Sequence, residues 1–258
     1  MRLALGVEYD GSQFAGWEAQ PGRRTVQESV EAALSSVADG PVRVVCAGRT
    51  DAGVHAWGQV VHCDLPVQRA ERAWLLGGNA NLPPDVAFTW AKPVPADFDA
   101  RRSALRRHYR YLIYCHPLRP ALLRDRVCWE CRPLDEERMQ VGGDLLLGEH
   151  DFSAFRAAAC QARSPVRRIE RLEVSRRDRL ISIDVVANAF LHHMVRNIAG
   201  VLISIGLGKN PPDWARQVLE GRDRRLGGVT AQPQGLYLVR VEYPGHFGVP
   251  TVPPLPWL

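Results

Sequence analysis

A chain of 258 residues, 46% hydrophobic and 24% charged, has the make-up of an ordinary folded protein, with room for one large domain or two small ones. No stretch approaches the roughly 20 apolar residues of a membrane span, and Glu8 interrupts the amino terminus before an apolar signal run accumulates, so a cytoplasmic protein is expected. The net charge of +5 is carried almost wholly by arginine, since Lys92 and Lys209 are the only lysines; arginine suits planar contacts to phosphate and bases, and a genome rich in G and C gives the same enrichment.

Leu3, Leu5, Val7 and Tyr9 alternate with smaller or polar residues as in an edge-on strand, which Asp10-Gly11-Ser12 ends. Phe14-Ala15-Gly16-Trp17 reads as a loop carrying two exposed aromatics. Thr25 and Glu28 then form a capping box, and Val26, Val30, Ala33, Leu34 and Val37 recur at helical spacing until Gly40-Pro41. Val42 to Cys46 is strand-like, and Gln59 to Leu65 alternates as a half-buried strand does. Arg72 to Asn79 predicts a short helix ended by Gly77-Gly78, followed by an extended Val86 to Ala91, a loop at Phe98 to Arg101 and a tyrosine-rich strand from His108 to Tyr114.

A second unit of similar layout follows. Val127 to Arg132 is extended and contains Cys128 and Cys131, whose CxxC spacing starts a helix in redox proteins and needs a second pair to hold zinc; reduced, unligated thiols are expected. Asp135 to Leu147 predicts a helix ended by Gly148, and Ile169–Val174 with Leu180–Ala187 a hairpin. Phe190 to Gly206 predicts a helix whose core side carries Leu191, Met194, Val195, Ile198, Val201, Leu202 and Ile205. Arg196 falls opposite, beside His192, His193, Ala199 and Gly200, where small residues leave room for another segment or a ligand; a solvated arginine is the plain alternative. Pro212 to Glu220 is a helix with Gly221 past its end, Gly235 to Tyr243 a last strand, and the proline-rich residues from Pro244 onward a tail without regular structure.

Between two strands lies Ala47-Gly48-Arg49-Thr50-Asp51-Ala52-Gly53-Val54-His55, which presents one carboxylate between two glycines. The glycines permit backbone angles or close approaches that a Cβ obstructs, so Asp51 can stand at a loop apex; a polar turn in which it bonds its own backbone fits the spacing equally. No second acid lies near Asp51 in sequence, which disfavours a paired-carboxylate glycosidase. Asp51 and His55 lack a nameable third metal ligand, and the stretch lacks the lysine of a P-loop.

Taken in order, Tyr9-Asp10-Gly11-Ser12 with Gly16-Trp17, Thr25-Val26-Gln27-Glu28, Ala47 to Ala56, Tyr109-Arg110-Tyr111, Phe190 to Asn197 and Gly235-Leu236-Tyr237-Leu238 resemble the tRNA pseudouridine synthase A family, from about Leu3 to Tyr243. The resemblance implies an α+β fold: two similar α/β-sandwich-like halves, residues 1–104 and 105–244, forming a continuous, mainly antiparallel sheet with helices on one side and a basic cleft between them. Residues 245–258 form a proline-rich tail outside it. It also implies cofactor-free and metal-free isomerisation of uridine to pseudouridine at positions 38 to 40 of the tRNA anticodon stem-loop by a homodimer.

Residue by residue, Asp51 matches the catalytic aspartate, Tyr109 the tyrosine packed on the target base, and Arg196 the arginine paired with the aspartate. Arg49, beside Asp51, is read as a further substrate contact, with a structural salt bridge as its alternative. The paired arginines at 101–102, 106–107, 167–168 and 176–177, with Arg222, Arg224 and Arg225, are candidates to track phosphates. Glu18-Ala19-Gln20 departs from the family's usual glutamine and basic residue, and Ala231-Gln232-Pro233 from its alanine-proline. A non-catalytic tRNA-binding chaperone using the same basic surface is the alternative reading.

Overall fold

The alternation of Leu3, Leu5, Val7 and Tyr9 does produce a strand, but the residues between them are buried as well: from Leu3 to Val7 none is exposed. The strand lies inside a sheet and not at its edge, and this is clear in the computed structural model, which describes residues 1–158 and 160–251. Along the chain the elements are β1 (Arg2–Tyr9), α1 (Val26–Ala38), β2 (Val45–Cys46), β3 (His55–Asp64), α2 (Glu71–Asn81), β4 (Val86–Pro93), β5 (Arg106–Cys115), β6 (Cys128–Glu130), α3 (Glu136–Asp144), β7 (Gly148–Asp151), β8 (Val166–Arg177), β9 (Leu180–Ala187), α4 (Met194–Gly206), α5 (Trp214–Gly221) and β10 (Leu236–Glu242). They divide into two units: residues 1–106 with the described residues from Tyr237 onward, and residues 107–236.

In the first unit the strands run in the order β4-β1-β3-β10, with β2 also paired to β3. β1 is antiparallel to both neighbours, whereas β10 joins β3 in parallel, Tyr237 opposite His55 and Leu238 opposite Ala56. A parallel pair so distant in sequence has no local signature. α1 and α2 pack on each other, and α2 on β4. Thr25 is the N-cap of α1 as expected, but its hydroxyl donates to Glu28 Oε2 at 2.6 Å in place of accepting from the helix backbone. Gly77 and Gly78 do not end α2; a Cβ on Gly78 would lie 2.5 Å from the Phe88 ring, so the glycine lets helix and strand pack closely.

Phe14 and Trp17, expected at the surface, are buried: Arg24 lies over the Phe14 ring at 4.0 Å, and Trp17 packs on Tyr9. The start of the expected tail also folds. Gly245–Phe247 forms one helical turn, Phe247 packs edge-on to Phe98, and Lys92 Nζ donates to the Gly248 carbonyl at 2.7 Å. The prolines from Pro253 onward lie outside the described residues.

The second unit has the strand order β5-β9-β8-β7, with β6 paired in parallel to β5. Each unit thus carries a mainly antiparallel four-strand path with one short additional strand, in keeping with the expected α+β class. α3 stops at Asp144 to make way for β7, which is too short to have shown in the sequence. α4 begins at Met194 and not at Phe190, because His193 takes a left-handed conformation (φ 63°) and the His192 carbonyl accepts from Ala157 N–H. At the end of α5, Gly221 is the last helical residue and Arg222 adopts the left-handed cap.

His62 on β3 is buried beside Phe98 and accepts the Ala100 N–H on Nδ1 at 3.0 Å. Burial holds its pKa below the ordinary histidine value of 6.5, with Asp99 acting against that shift. The folded state therefore resists a proton that the unfolded chain takes up, so this group's contribution is fully present above about pH 6.5 and is lost as pH falls below it. Urea titrations at pH 7.5 and 5.0 should show a smaller loss of stability for His62→Gln, which keeps an acceptor, than for the parent; equal losses would remove His62 as the source.

Candidate active site

The connection between β2 and β3 is tied down at almost every residue. Ala47 N–H donates to the Val60 carbonyl at 2.8 Å, extending the pairing of β2 with β3. Gln59, wholly buried on β3, then clamps Gly48: its Nε2 donates to the Gly48 carbonyl at 2.6 Å and its Oε1 accepts from Gly48 N–H at 3.4 Å. The Asp51 carbonyl accepts from Val54 N–H at 3.1 Å, closing a turn in which Gly53 takes φ 77° as the sequence suggested. Thr50 bonds to Tyr9 through its hydroxyl and to Trp17 through its carbonyl. Asp51 itself is partly exposed on this frame. Arg49 stands half-exposed and its Nε meets the Glu18 carboxylate.

His55, at the head of β3, is taken up by the fold. It is buried, its Nδ1 accepts from Gly11 N–H at 3.1 Å with Asp10 Oδ1 equally near, and its ring stacks on Tyr237 at 4.7 Å.

In the second unit, Tyr109 lies opposite Val185 on β9 and is nearly buried, its ring edge-on to Phe190 at 5.0 Å. Arg196 occupies the first turn of α4. Its Nε donates to the Ala231 carbonyl at 2.9 Å while Ala231 N–H donates back to the Arg196 carbonyl at 3.1 Å, which sets the plane of the guanidinium. The room expected beside Ala199 and Gly200 is filled by this same segment: a Cβ on Gly200 would lie 2.0 Å from the Val229 carbonyl oxygen.

This segment is held by Asn197 and Tyr111, without a role of their own in the sequence reading, and by Arg224, read there as a phosphate contact. Buried Asn197 donates to the Phe155 carbonyl at 2.7 Å and accepts from Arg224 at 3.0 Å and from Thr230 at 2.7 Å; Arg224 also reaches Thr230 and the Gly228 carbonyl. The Tyr111 hydroxyl, held protonated by burial that raises its pKa well above the usual value, donates to the Gln232 carbonyl at 2.8 Å. Cys128 is buried on β6, and burial pushes its thiol up, whereas Cys131 is exposed. The useful signals were a lone glutamine in an apolar strand for Gln59 and an amide inside an apolar helix face for Asn197.

Of the arginine pairs, several are engaged internally. Arg107 donates to the Asn188 carbonyl, Arg176 pairs with Glu136, Arg224 serves Asn197 and Arg225 pairs with Asp223. Arg101, Arg102, Arg168 and Arg177 are exposed. The sequence-expected residues thus fall as Asp51 and Arg49 in the first unit, and Tyr109 and Arg196 in the second.

A family profile described as tRNA pseudouridine synthase matches residues 6–101 and 144–244, spans that hold Asp51, Arg49 and Arg196 but pass over Tyr109. Over 252 residues the chain is 60% identical to the tRNA pseudouridine synthase A of Nitrosococcus oceani, covering 98% of this chain and 97% of that one. The protein of the same name from Coxiella burnetii is 57% identical over the same length, with the same coverage. That from Pseudomonas aeruginosa is 58% identical over 250 residues, covering 96% of this chain and 88% of the relative.

Replacing Asn197 by alanine strands a buried carbonyl and two donors at once. The expected cost is about 2–3 kcal/mol of unfolding free energy, read from the urea midpoint at constant slope. A change below about 0.5 kcal/mol would mean that water satisfies these groups without the amide.

Proposed function

The chain belongs to the tRNA pseudouridine synthase A family, and from that premise we propose that it isomerises uridine to pseudouridine in the anticodon stem-loop of tRNA, at positions 38 to 40, with Asp51 as the acting carboxylate. The observation that carries this reading is the Asp51 loop, a single carboxylate on irregular backbone whose neighbouring polar groups are bonded to the fold.

The reaction exchanges one glycosidic bond for another: C1′–N1 breaks, the base turns, C5 bonds to C1′, and the C5 proton departs as N1 regains one. It is balanced without an oxidant, reductant or donor, so side chains suffice. A target inside a stem must be extruded at a cost of a few kcal/mol in pairing and stacking, which contacts to surrounding phosphates offset. Exposed Arg101, Arg102, Arg168 and Arg177 are the candidates for those contacts, and Arg49 for one next to the reacting nucleotide.

A base lying over Asp51 desolvates it and disfavours the ionised form that attack or proton removal requires; in this reading Arg196 supplies the opposing charge. Tyr109 supplies an aromatic face on which the loosened base turns without escaping. The enzyme works as a homodimer in the cytoplasm without metal, as the family resemblance implies. Among the described residues no helix is long and apolar enough to cross a membrane.

Release of tritium from 5-labelled uridine in tRNA tests the proposal. Asp51→Asn should lose release by at least about a thousandfold while binding tRNA within a few-fold of the parent, and chelator should leave the parent rate unchanged. Undiminished release by Asp51→Asn would remove the carboxylate from the chemistry, and retention of every parental activity by that variant would favour a chaperone. Tyr109→Phe keeps the stacking surface, so turnover near the parental rate assigns Tyr109 a purely aromatic role. Affinity for tRNA should fall with salt at a log–log slope of about −3 or steeper, as several phosphate contacts require, and a flat response would contradict them.

A further inference from the structure

A carboxylate that acts on one atom of a nucleotide must be delivered with sub-ångström accuracy, and loops deliver poorly unless something outside them fixes their backbone. The residue before Asp51 is where this fixing converges. Thr50 is buried although it carries a hydroxyl, and that hydroxyl lies 2.7 Å from the Tyr9 hydroxyl in a buried hydrogen bond. Its carbonyl accepts from Trp17 N–H at 3.0 Å. The segment carrying Trp17 can come this close because position 16 is glycine: it has φ 105°, and a Cβ there would lie 2.8 Å from the Thr50 carbonyl oxygen and 3.2 Å from the carbonyl carbon of Asp51.

Tyr9 is a firm anchor. It ends β1 between two strands, opposite Ala56 on β3 and Val86 on β4, and its ring rests on the buried Trp17. Thr50 is therefore held by side chain and main chain together, and both holds come from residues 9–17, a segment distant in sequence from the carboxylate.

We propose that Tyr9 and Thr50 are positioning residues for Asp51, their paired hydroxyls setting the loop backbone so that the carboxylate meets the reacting atom. This rests on the reading of Asp51 as the acting carboxylate. The hydroxyl pair is buried in the fold, so its loss acts on the chemical step and leaves RNA affinity alone. A merely structural bond would instead lower the folded fraction and leave the rate per folded molecule unchanged.

Single-turnover tritium release and tRNA affinity, measured on Tyr9→Phe, Thr50→Val, Thr50→Ser, the Tyr9→Phe/Thr50→Val double variant and Asp51→Asn, decide the matter. Tyr9→Phe and Thr50→Val should each slow release about tenfold, with affinity within about twofold of the parent. The double variant should be no slower than the slower single one, because one bond is lost once. Thr50→Ser, which keeps the hydroxyl, should restore most of the rate. A parental rate in Tyr9→Phe, losses that multiply in the double variant, or an affinity loss that matches the rate loss would overturn the proposal. Thermal melting corrects each rate for the folded fraction, and Tyr9→Phe, which keeps the ring on Trp17, serves if Thr50→Val folds poorly. Asp51→Asn separates the two readings. If it stays active, the role of Asp51 has failed and positioning with it; if it is inert while Tyr9→Phe is normal, positioning alone has failed.

Discussion

The hydrogen bonds that fasten the backbone around Asp51 are the constraint on which the first unit depends. Irregular chain beside a sheet exposes N–H and C=O groups that cannot be buried unpaired, and each must find a partner in the fold. Here Gly48 is answered by the Gln59 side chain, Thr50 by Trp17, Asp51 by Val54, and Gly53 N–H by the Phe14 carbonyl at 3.4 Å. Two of these four partners lie in the segment after β1. That explains why Phe14 and Trp17 are buried: they wedge the segment against the loop it supports, and their aromatic bulk is the apolar side of a polar fastening.

The second unit meets the same problem with different groups. Residues 228–232 run as irregular chain across the first turns of α4, and they are fastened by the reciprocal bonds of Arg196 with Ala231, by the Asn197, Arg224 and Thr230 network and by Tyr111 on β5. Arginine is well suited to this work, since one planar guanidinium can serve a carbonyl, an amide oxygen and a hydroxyl at once, as Arg224 does. Counting arginines in the sequence therefore overstates the surface available to phosphate.

What was legible in the sequence was local. The strands at Arg2–Tyr9, Arg106–Cys115 and Leu180–Ala187 and the helix at Val26–Ala38 announce themselves through periodicity and end signals. The Asp51 loop stood out because glycines bracket an acid between strands. What was not legible depends on partners far away in the chain. Gly77-Gly78 reads as a helix stop until Phe88 is known to press on it, and the apolar spacing at Leu191 continues the helical pattern although a left-handed His193 breaks the helix there. Neither the parallel pairing of β10 with β3 nor the Tyr9 to Thr50 bond has any signature in local pattern, because each is set by the register of whole strands.

The pair formed by Arg49 and Glu18 stands in contrast to the fastenings of the loop backbone. The Glu18 carboxylate meets the guanidinium two positions before Asp51. Both side chains are about half exposed, 51% and 46%, and an ion pair in such a setting is worth roughly 0–1 kcal/mol because water and salt screen it. A contact that weak fixes no backbone, in contrast to the buried bonds of Thr50 and Gln59. It holds Arg49 against Glu18 at the surface and no more. The fastening of the loop backbone comes instead from uncharged groups: Gln59 on Gly48, Trp17 on the Thr50 carbonyl and Tyr9 on the Thr50 hydroxyl.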